Sequence, residues 1–189
     1  MNIRGKKVLL RAIEEDDLVL LHKWANEPYI CSMIGGWHFP SSKVDQRKWF
    51  ESLNVNSTNQ RFAIEAEVEG LIGTANLVNL NWKDKNAHHG MLLGDKDIRG
   101  KGYAVDTIMT IMRYSFDELG LNRLDGSIIE YNKASYGVYL EKCGWKMEGT
   151  AREWYFRNNQ FYDKHLVGVT KKDYQELIDT NNYWETNKK

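Results

Sequence analysis

Apolar residues recur along this chain with two distinct periods. Val8-Leu9-Leu10 is a short apolar run that opens a first strand. Glu14-Glu15-Asp16-Asp17 then leads into Leu18, Leu21 and Ala25. Acids in a first turn, followed by helical spacing, predict a helix, which Pro28 closes. Ser41 or Ser42 is placed to cap a second helix carrying Val44, Trp49, Phe50 and Leu53. From Phe62 to Val68 apolar and polar positions alternate, as in a half-buried strand. Glu69-Gly70 turns that strand into Leu71–Leu80, so the two read as a hairpin. A further strand runs over about 87–93. Gly102 to Leu119 has the spacing of a helix, with Val105, Ile108, Met112 and Phe116 near one face and Gly120 as its stop. Arg123 to Tyr131 reads as the next strand, and about 133–142 as a helix ending at Cys143-Gly144. Two last strands, around 145–150 and 161–170, are joined by Trp154-Tyr155-Phe156, and a helix over about 172–180 follows. This order predicts an α/β (α+β) chain: a central mixed sheet flanked by helices.

Composition narrows the function classes. The chain has 189 residues, with 26 Lys+Arg against 26 Asp+Glu, so its formal net charge is zero. A general nucleic-acid binder needs a surplus of cations facing phosphate, so nucleic acid is not an expected partner. No apolar run approaches the ~18 residues that a membrane helix needs, and Met1 to Gly5 lacks the apolar stretch of a signal peptide. Cys31 and Cys143 are far apart and have no metal-ligand spacing, which suits a reduced, cytoplasmic protein without a metal. No repeat or Gly/Ser linker divides the chain. One domain over 1–189 is expected, with a short polar tail from about 181.

The chemistry-bearing stretch is Leu92-Leu93-Gly94-Asp95-Lys96-Asp97-Ile98-Arg99-Gly100-Lys101-Gly102-Tyr103-Ala104. A strand ends, a basic glycine-containing loop follows, and a helix begins. The first N–H groups of a helix lack partners within it and sit at its positive end. Gly100 and Gly102 let the backbone curl close to a ligand, and Arg99 and Lys101 add positive charge. The combination suits a pyrophosphate. It is neither a Walker loop nor a Gly-x-Gly-x-x-Gly fingerprint, and an ordinary strand-to-helix turn has the same local appearance.

A second block supplies the context. Asn132-Lys133-Ala134-Ser135-Tyr136-Gly137-Val138-Tyr139-Leu140-Glu141-Lys142-Cys143-Gly144-Trp145, taken with Asp97-Ile98-Arg99-Gly100-Lys101-Gly102, resembles the two signature blocks of the GNAT superfamily of N-acetyltransferases. In that family the loop reads Gln/Arg-x-x-Gly-x-Gly/Ala, and the later block reads Asn-x-x-Ala/Ser…Tyr-Glu-Lys-x-Gly-Phe. Asp97 departs from Gln/Arg, which weakens one contact and not the turn. The opening Leu9-Leu10-Arg11-Ala12…Glu15-Asp16-Asp17-Leu18 resembles the branch of spermidine and ribosomal-protein N-terminal acetyltransferases, and the likeness spans about 7–170.

The resemblance implies the GNAT fold, a twisted, mostly antiparallel sheet of about seven strands. It also implies acetyl transfer from acetyl-CoA to an amine by direct attack. The strand at Met91-Leu92-Leu93 would splay from Ser127–Tyr131 and hold the pantetheine arm. Residues Arg99, Gly100, Lys101, Gly102, Tyr103 and Ala104 would hold the pyrophosphate, and Asn132 would meet the cofactor from the opposite side. A Tyr of the second block protonates the leaving thiolate in this family. Counting forward from Asn132 gives Tyr139, and counting back from Glu141 lands on Leu140, so the helix carries one extra residue. Tyr139 is the expected donor and Tyr136 the fallback.

The acceptor side is less defined. His88-His89 opens the central strand, and His89 is the candidate base, although a solvated strand end reads the same way. Trp37, in the glycine-hinged loop Met33–Phe39, and Tyr155, in the late aromatic arm, are candidate substrate contacts. Glu14 to Asp17 would attract a polyamine or simply cap a helix. Polyamines, amino sugars, other small amines and protein N-termini all fit as acceptors. A non-catalytic acyl-CoA sensor on the same scaffold is the competing reading. Exposed strand edges and aromatic surface suit a homodimer or a higher homo-oligomer.

Overall fold

A computed structural model describes residues 1–36 and 39–185. The strands are β1 (Ile3–Arg4), β2 (Val8–Arg11), β3 (Gln60–Ala66), β4 (Gly70–Asn81), β5 (Asn86–Leu93), β6 (Arg123–Ile129), β7 (Lys146–Arg157) and β8 (Gln160–Thr170). The helices are α1 (Leu18–Ala25), α2 (Pro28–Met33), α3 (Lys43–Glu51), α4 (Tyr103–Arg113), α5 (Lys133–Tyr136) and α6 (Lys171–Asn181). The strands form one sheet in the order β1-β2-β3-β4-β5-β6-β8-β7, eight strands where about seven were expected. Every neighbouring pair is antiparallel except β5–β6.

Alternation in the strands divides two apolar layers. Leu10, Ile64, Leu77 and Leu124 face Ile108, Met112 and Phe116 in the larger core, with Tyr139 and Tyr174. On the other face Ala63 meets Ile13, Leu21, Trp24 and Ile30, with Trp49 and Phe50 against them. The site lies between these layers, where the sheet opens.

Three local expectations change. Pro28 opens a helix instead of closing one: it occupies the first turn of α2, and the Glu27 side chain accepts from Ile30 N at 2.8 Å. A proline has no N–H to lose there and its φ is already helical. Trp154-Tyr155-Phe156 is no connector; it lies within β7, where Tyr155 pairs with Tyr162 and Phe156 with Phe161. Where it is described, the stretch expected as a polar tail from about 181 is packed on the domain. Tyr183 donates to Asp106 Oδ1 at 2.7 Å, and Trp184 Nε1 donates to the Tyr174 hydroxyl at 2.7 Å.

Two helices end in wide turns. After α4, residues Tyr114–Glu118 are π-helical, and after α5 so are Gly137–Lys142. In the second, Cys143 N reaches back five residues to Val138 O at 3.1 Å. A π turn is how a helix absorbs one added residue. That accounts for the extra position between Asn132 and Glu141. Among the described residues no helix is long and apolar enough to cross a membrane.

Candidate active site

β5 and β6 pair only over Asn86↔Arg123, Ala87↔Leu124 and His88↔Asp125. Beyond that rung they part, while β5 stays paired with β4 as far as Leu93. The edge of β5 from His89 to Leu93 therefore faces β6 without a strand partner, and its amides are open to an extended ligand. Two cavities meet in this opening.

The first, about 320 Å³, is lined by Met91, Leu92 and Leu93 of β5, by the turn into α4 except Lys101, by α2, and by Asn132, Ala134, Ser135, Val138, Tyr139 and Lys142. Gly100 and Gly102 have φ of +77° and +87°, which L side chains rarely adopt. Gly102 caps α4, and the first ladder bond runs from Asp106 N to Gly102 O. The N–H groups ahead of it have no helical partner, and their residues line the cavity. Arg99 lines it too, its Nη1 3.1 Å from the Tyr29 hydroxyl and its guanidinium over the Tyr29 ring at 4.8 Å. Of the expected cofactor contacts only Lys101 is turned elsewhere: its ammonium bonds Glu69 at 2.9 Å. Tyr103 lines the cavity while its hydroxyl donates to the same carboxylate at 2.6 Å.

The second cavity, about 420 Å³, shares Met33, Ile34, Met91, Leu92, Asn132, Ser135 and Tyr139 with the first. Asn132 braces the junction: Oδ1 accepts from Ser135 N at 3.1 Å and Nδ2 donates to Met33 O at 2.9 Å. Tyr139 is buried, its hydroxyl has no hydrogen-bond partner among the described residues, and its ring packs edge-on against Trp145. Desolvation holds its phenol well above the usual tyrosine range. Tyr136 lines neither cavity and packs against His165.

The two histidines separate by strand alternation. His89 is buried on the larger-core side with Tyr139 and Trp145, its Nδ1 2.9 Å from Asn76 O, and it too lines the second cavity. It is no solvated strand end: burial pushes its pKa down to about 4, so it is neutral near pH 7. His88 shares the opposite face with Asn76 and Gly90, lines the second cavity, and holds Asp125 Oδ1 at 2.5 Å through Nδ1. Tyr155 is buried, and its hydroxyl lies 2.8 Å from where a Cβ on Gly35 would sit, so β7 abuts the loop after α2. Trp37 lies outside the described residues.

Arg61 also lines the second cavity. Nothing in the sequence singles it out, because its importance comes from the register Arg61↔Asn76↔Gly90 across three strands. The acids at 14–17 line neither cavity. Arg11 grips Asp17 through both guanidinium nitrogens at 2.7 and 3.0 Å, and Arg47 holds Glu15 at 2.8 Å. Cys143 is buried and its thiol is pushed up to about 12, which suits packing and not nucleophilic attack. Among the described residues no group of three or more His, Cys, Asp or Glu could hold a metal ion.

A split between two parallel strands, with a bare helix N-terminus at its mouth, defines an acyl-CoA-type cleft. Residues 7–146 match the acetyltransferase (GNAT) domain family, and the chain belongs to that family. It is similar to the spermidine N(1)-acetyltransferase of Vibrio cholerae, at 25% identity over 90% of this chain and 96% of that protein. It is 28% identical to the SPbeta prophage-derived uncharacterized N-acetyltransferase YokL of Bacillus subtilis, over 90% of this chain and 94% of the other. The crystal structure of spermidine N-acetyltransferase from Vibrio cholerae in complex with CoA and spermine has the same fold. Its TM-score is 0.82 at 24% identity, covering 90% of this chain and 99% of that one.

Proposed function

We propose that this protein transfers an acetyl group from acetyl-CoA to a small primary amine by direct attack. The observation that carries the reading is that Tyr139, a buried phenol with no hydrogen-bond partner among the described residues, lines both cavities where β5 leaves β6. The first cavity takes the acetyl-CoA. Arg99 and the free N–H groups at the start of α4 hold its pyrophosphate, and the open edge of β5 receives the pantetheine amides. The amine enters through the second cavity.

The neutral amine attacks the thioester carbonyl carbon, and the carbonyl oxygen takes up the displaced electron pair. A free N–H of β5 near Leu93 stabilises that charge. When the C–S bond breaks, Tyr139 gives its proton to the departing sulfur. The desolvation that makes the phenol a weak acid also makes the sulfur a stronger base, which narrows the mismatch between them. The proton lost by the amine passes to His88, directly or through water. Asp125 fixes His88 with Nδ1–H donating, which leaves Nε2 as the acceptor. His89, the base expected from sequence, also lines the second cavity beside Tyr139, but its Nδ1 is tied to Asn76 O and burial makes it a weaker base.

Release of free thiol from acetyl-CoA in the presence of an amine panel tests this reading. Amine-dependent release is expected. Tight acetyl-CoA binding without release from any amine would leave an acyl-CoA sensor instead.

A further inference from the structure

The family's reaction leaves the acceptor open, and the charges around the second cavity bear on it. A polyamine carries several ammonium groups, so a site selective for it must supply carboxylates to replace their hydration. Among the described residues no Asp or Glu lines the second cavity, and none lines the first. Asp125, opposite His88 at the last rung of β5–β6, is already engaged by that imidazole. Asp17 and Glu15 are taken by arginines. Apart from His88 and His89, the remaining polar lining is neutral: Thr74, Asn76, Ser127, Asn132, Ser135 and Tyr139.

Against that background stands one permanent cation. Arg61 lines this cavity, and among the described residues its side chain forms no salt bridge or hydrogen bond. Its neighbour is the Trp49 ring, 6.0 Å from the guanidinium carbon, which supports the side chain without neutralising it. A guanidinium keeps its charge at any ordinary pH and offers a planar fork matched to carboxylate or phosphate. Arg61 stands two strands from Gly90, about 10 Å at the usual strand spacing, on the same sheet face. The next row on that face ends at Leu92, beside Tyr139 and the junction of the cavities. The cation is therefore set several bonds' length away from the reacting end.

We infer that the acceptor is an amine whose far end is anionic, a carboxylate or a phosphate received by Arg61, and not a polyamine. The inference rests on the transferase reading above. In that reading the reactive amine points to Leu92 and Tyr139, and the anionic end lies along β4 and β3.

Acceptors sharing one five-carbon chain provide the test: aminovalerate, aminopentyl phosphate, pentylamine and cadaverine, with spermidine alongside. Each is assayed by thiol release from acetyl-CoA with wild type, Arg61→Gln and Arg61→Glu, and acetyl-CoA affinity serves as the folding control. For wild type, kcat/KM for at least one anionic acceptor should exceed that for cadaverine at least tenfold. Whichever of the two is preferred identifies the anion. Arg61→Gln should erase the preference and Arg61→Glu should invert it, with acetyl-CoA affinity unchanged in both. Equal or better use of cadaverine or spermidine by wild type would overturn the inference and leave the transferase reading intact. So would a preference that survives Arg61→Glu. No thiol release from any amine would overturn the transferase reading and this inference with it.

Discussion

His88 and Asp125 form the last rung of the parallel pairing between β5 and β6, and there Nδ1 meets Oδ1 at 2.5 Å. The sheet opens immediately beyond them, so the imidazole sits at the inner end of the cleft with its second nitrogen unclaimed. A base in that position should matter to turnover more than to acetyl-CoA binding. His88→Gln should lower kcat by ~10²-fold, the usual scale for a general base, with acetyl-CoA affinity within a few-fold of wild type. Asp125→Asn should cost less, because the imidazole remains. An unaltered kcat in His88→Gln would move the role of base elsewhere.

Tyr139 and Tyr136 stand one turn apart on the chain and differ in what they face. Tyr139 reaches both cavities, whereas Tyr136 packs on His165 and reaches neither. Tyr139→Phe should reduce kcat by ~10²-fold or more, as for loss of a positioned acid, with acetyl-CoA affinity within a few-fold of wild type. Tyr136→Phe should stay near wild type. Because burial raises the Tyr139 pKa, the phenol stays protonated well past pH 9, and no alkaline loss of activity below that pH should trace to it. The opposite ranking of the two variants would reassign the donor.

How much of this was legible beforehand follows from the range of each signal. The loop from Leu92 to Ala104 reads locally, since strand, glycines and helix start are consecutive, and the structure keeps that order. The extra residue near Tyr139 was countable, but only the π turn gives it a physical form. Pro28 misled because a proline marks the first turn of a helix as readily as an end. Lys101 and Arg99 look alike in sequence, and Glu69 in the β3–β4 turn decides between them from 32 residues away. Alternation shows that His88 and His89 face opposite sides. It does not say that both reach the second cavity, because that depends on where β6 parts from β5. Arg61 is defined by cross-strand register, which no local pattern carries.

Asp106 anchors the start of the chain from inside α4. Its carboxylate accepts from Lys6 N at 3.0 Å, Lys7 N at 2.6 Å and Val8 N at 2.9 Å, and from the Tyr183 hydroxyl. It is 1% exposed, so water cannot replace these partners. Asp106→Asn would turn an NH2 group toward some of these donors. A loss of about 2–4 kcal/mol in urea unfolding is expected, on the scale for breaking a buried charged hydrogen-bond set. A loss below about 1 kcal/mol would mean that the β1–β2 turn is held by other contacts.

His89 couples stability to pH with a definite sign. Its pKa falls from 6.5 to about 4 on folding, first through burial and then opposed by its bond to Asn76 O. Between those values the unfolded chain binds the proton and the folded one does not. Its contribution is therefore complete above pH 6.5, declines on acidification, and is gone below about pH 4. A shift of that size corresponds to about 3 kcal/mol as an upper figure. His89→Gln, which retains a donor for Asn76 O, should be less stable at pH 7.5 and should unfold with a flatter dependence between pH 6.5 and 4. Parallel urea midpoints for the two proteins across that window would remove His89 as the source.

Arg99 and Lys101 are two cations in one loop with different engagements. Lys101 is neutralised by Glu69, and it does not line the first cavity. Arg99 lines it, with the Tyr29 ring beneath the guanidinium and the Tyr29 hydroxyl beside it. A charge-assisted bond to phosphate is stronger than a neutral one, and its loss on the order of 1.4 kcal/mol is a tenfold change in affinity. Titration calorimetry should show Arg99→Ala weakening acetyl-CoA binding by about tenfold or more and flattening its salt dependence. Lys101→Ala should change affinity by less than about threefold. Its effect should instead appear as modest destabilisation, since Glu69 would keep the Tyr103 hydroxyl and lose the ammonium. If Lys101→Ala proved the more damaging for acetyl-CoA, the Glu69 pair would have to open on binding, and Glu69→Gln would then tighten binding by freeing the lysine.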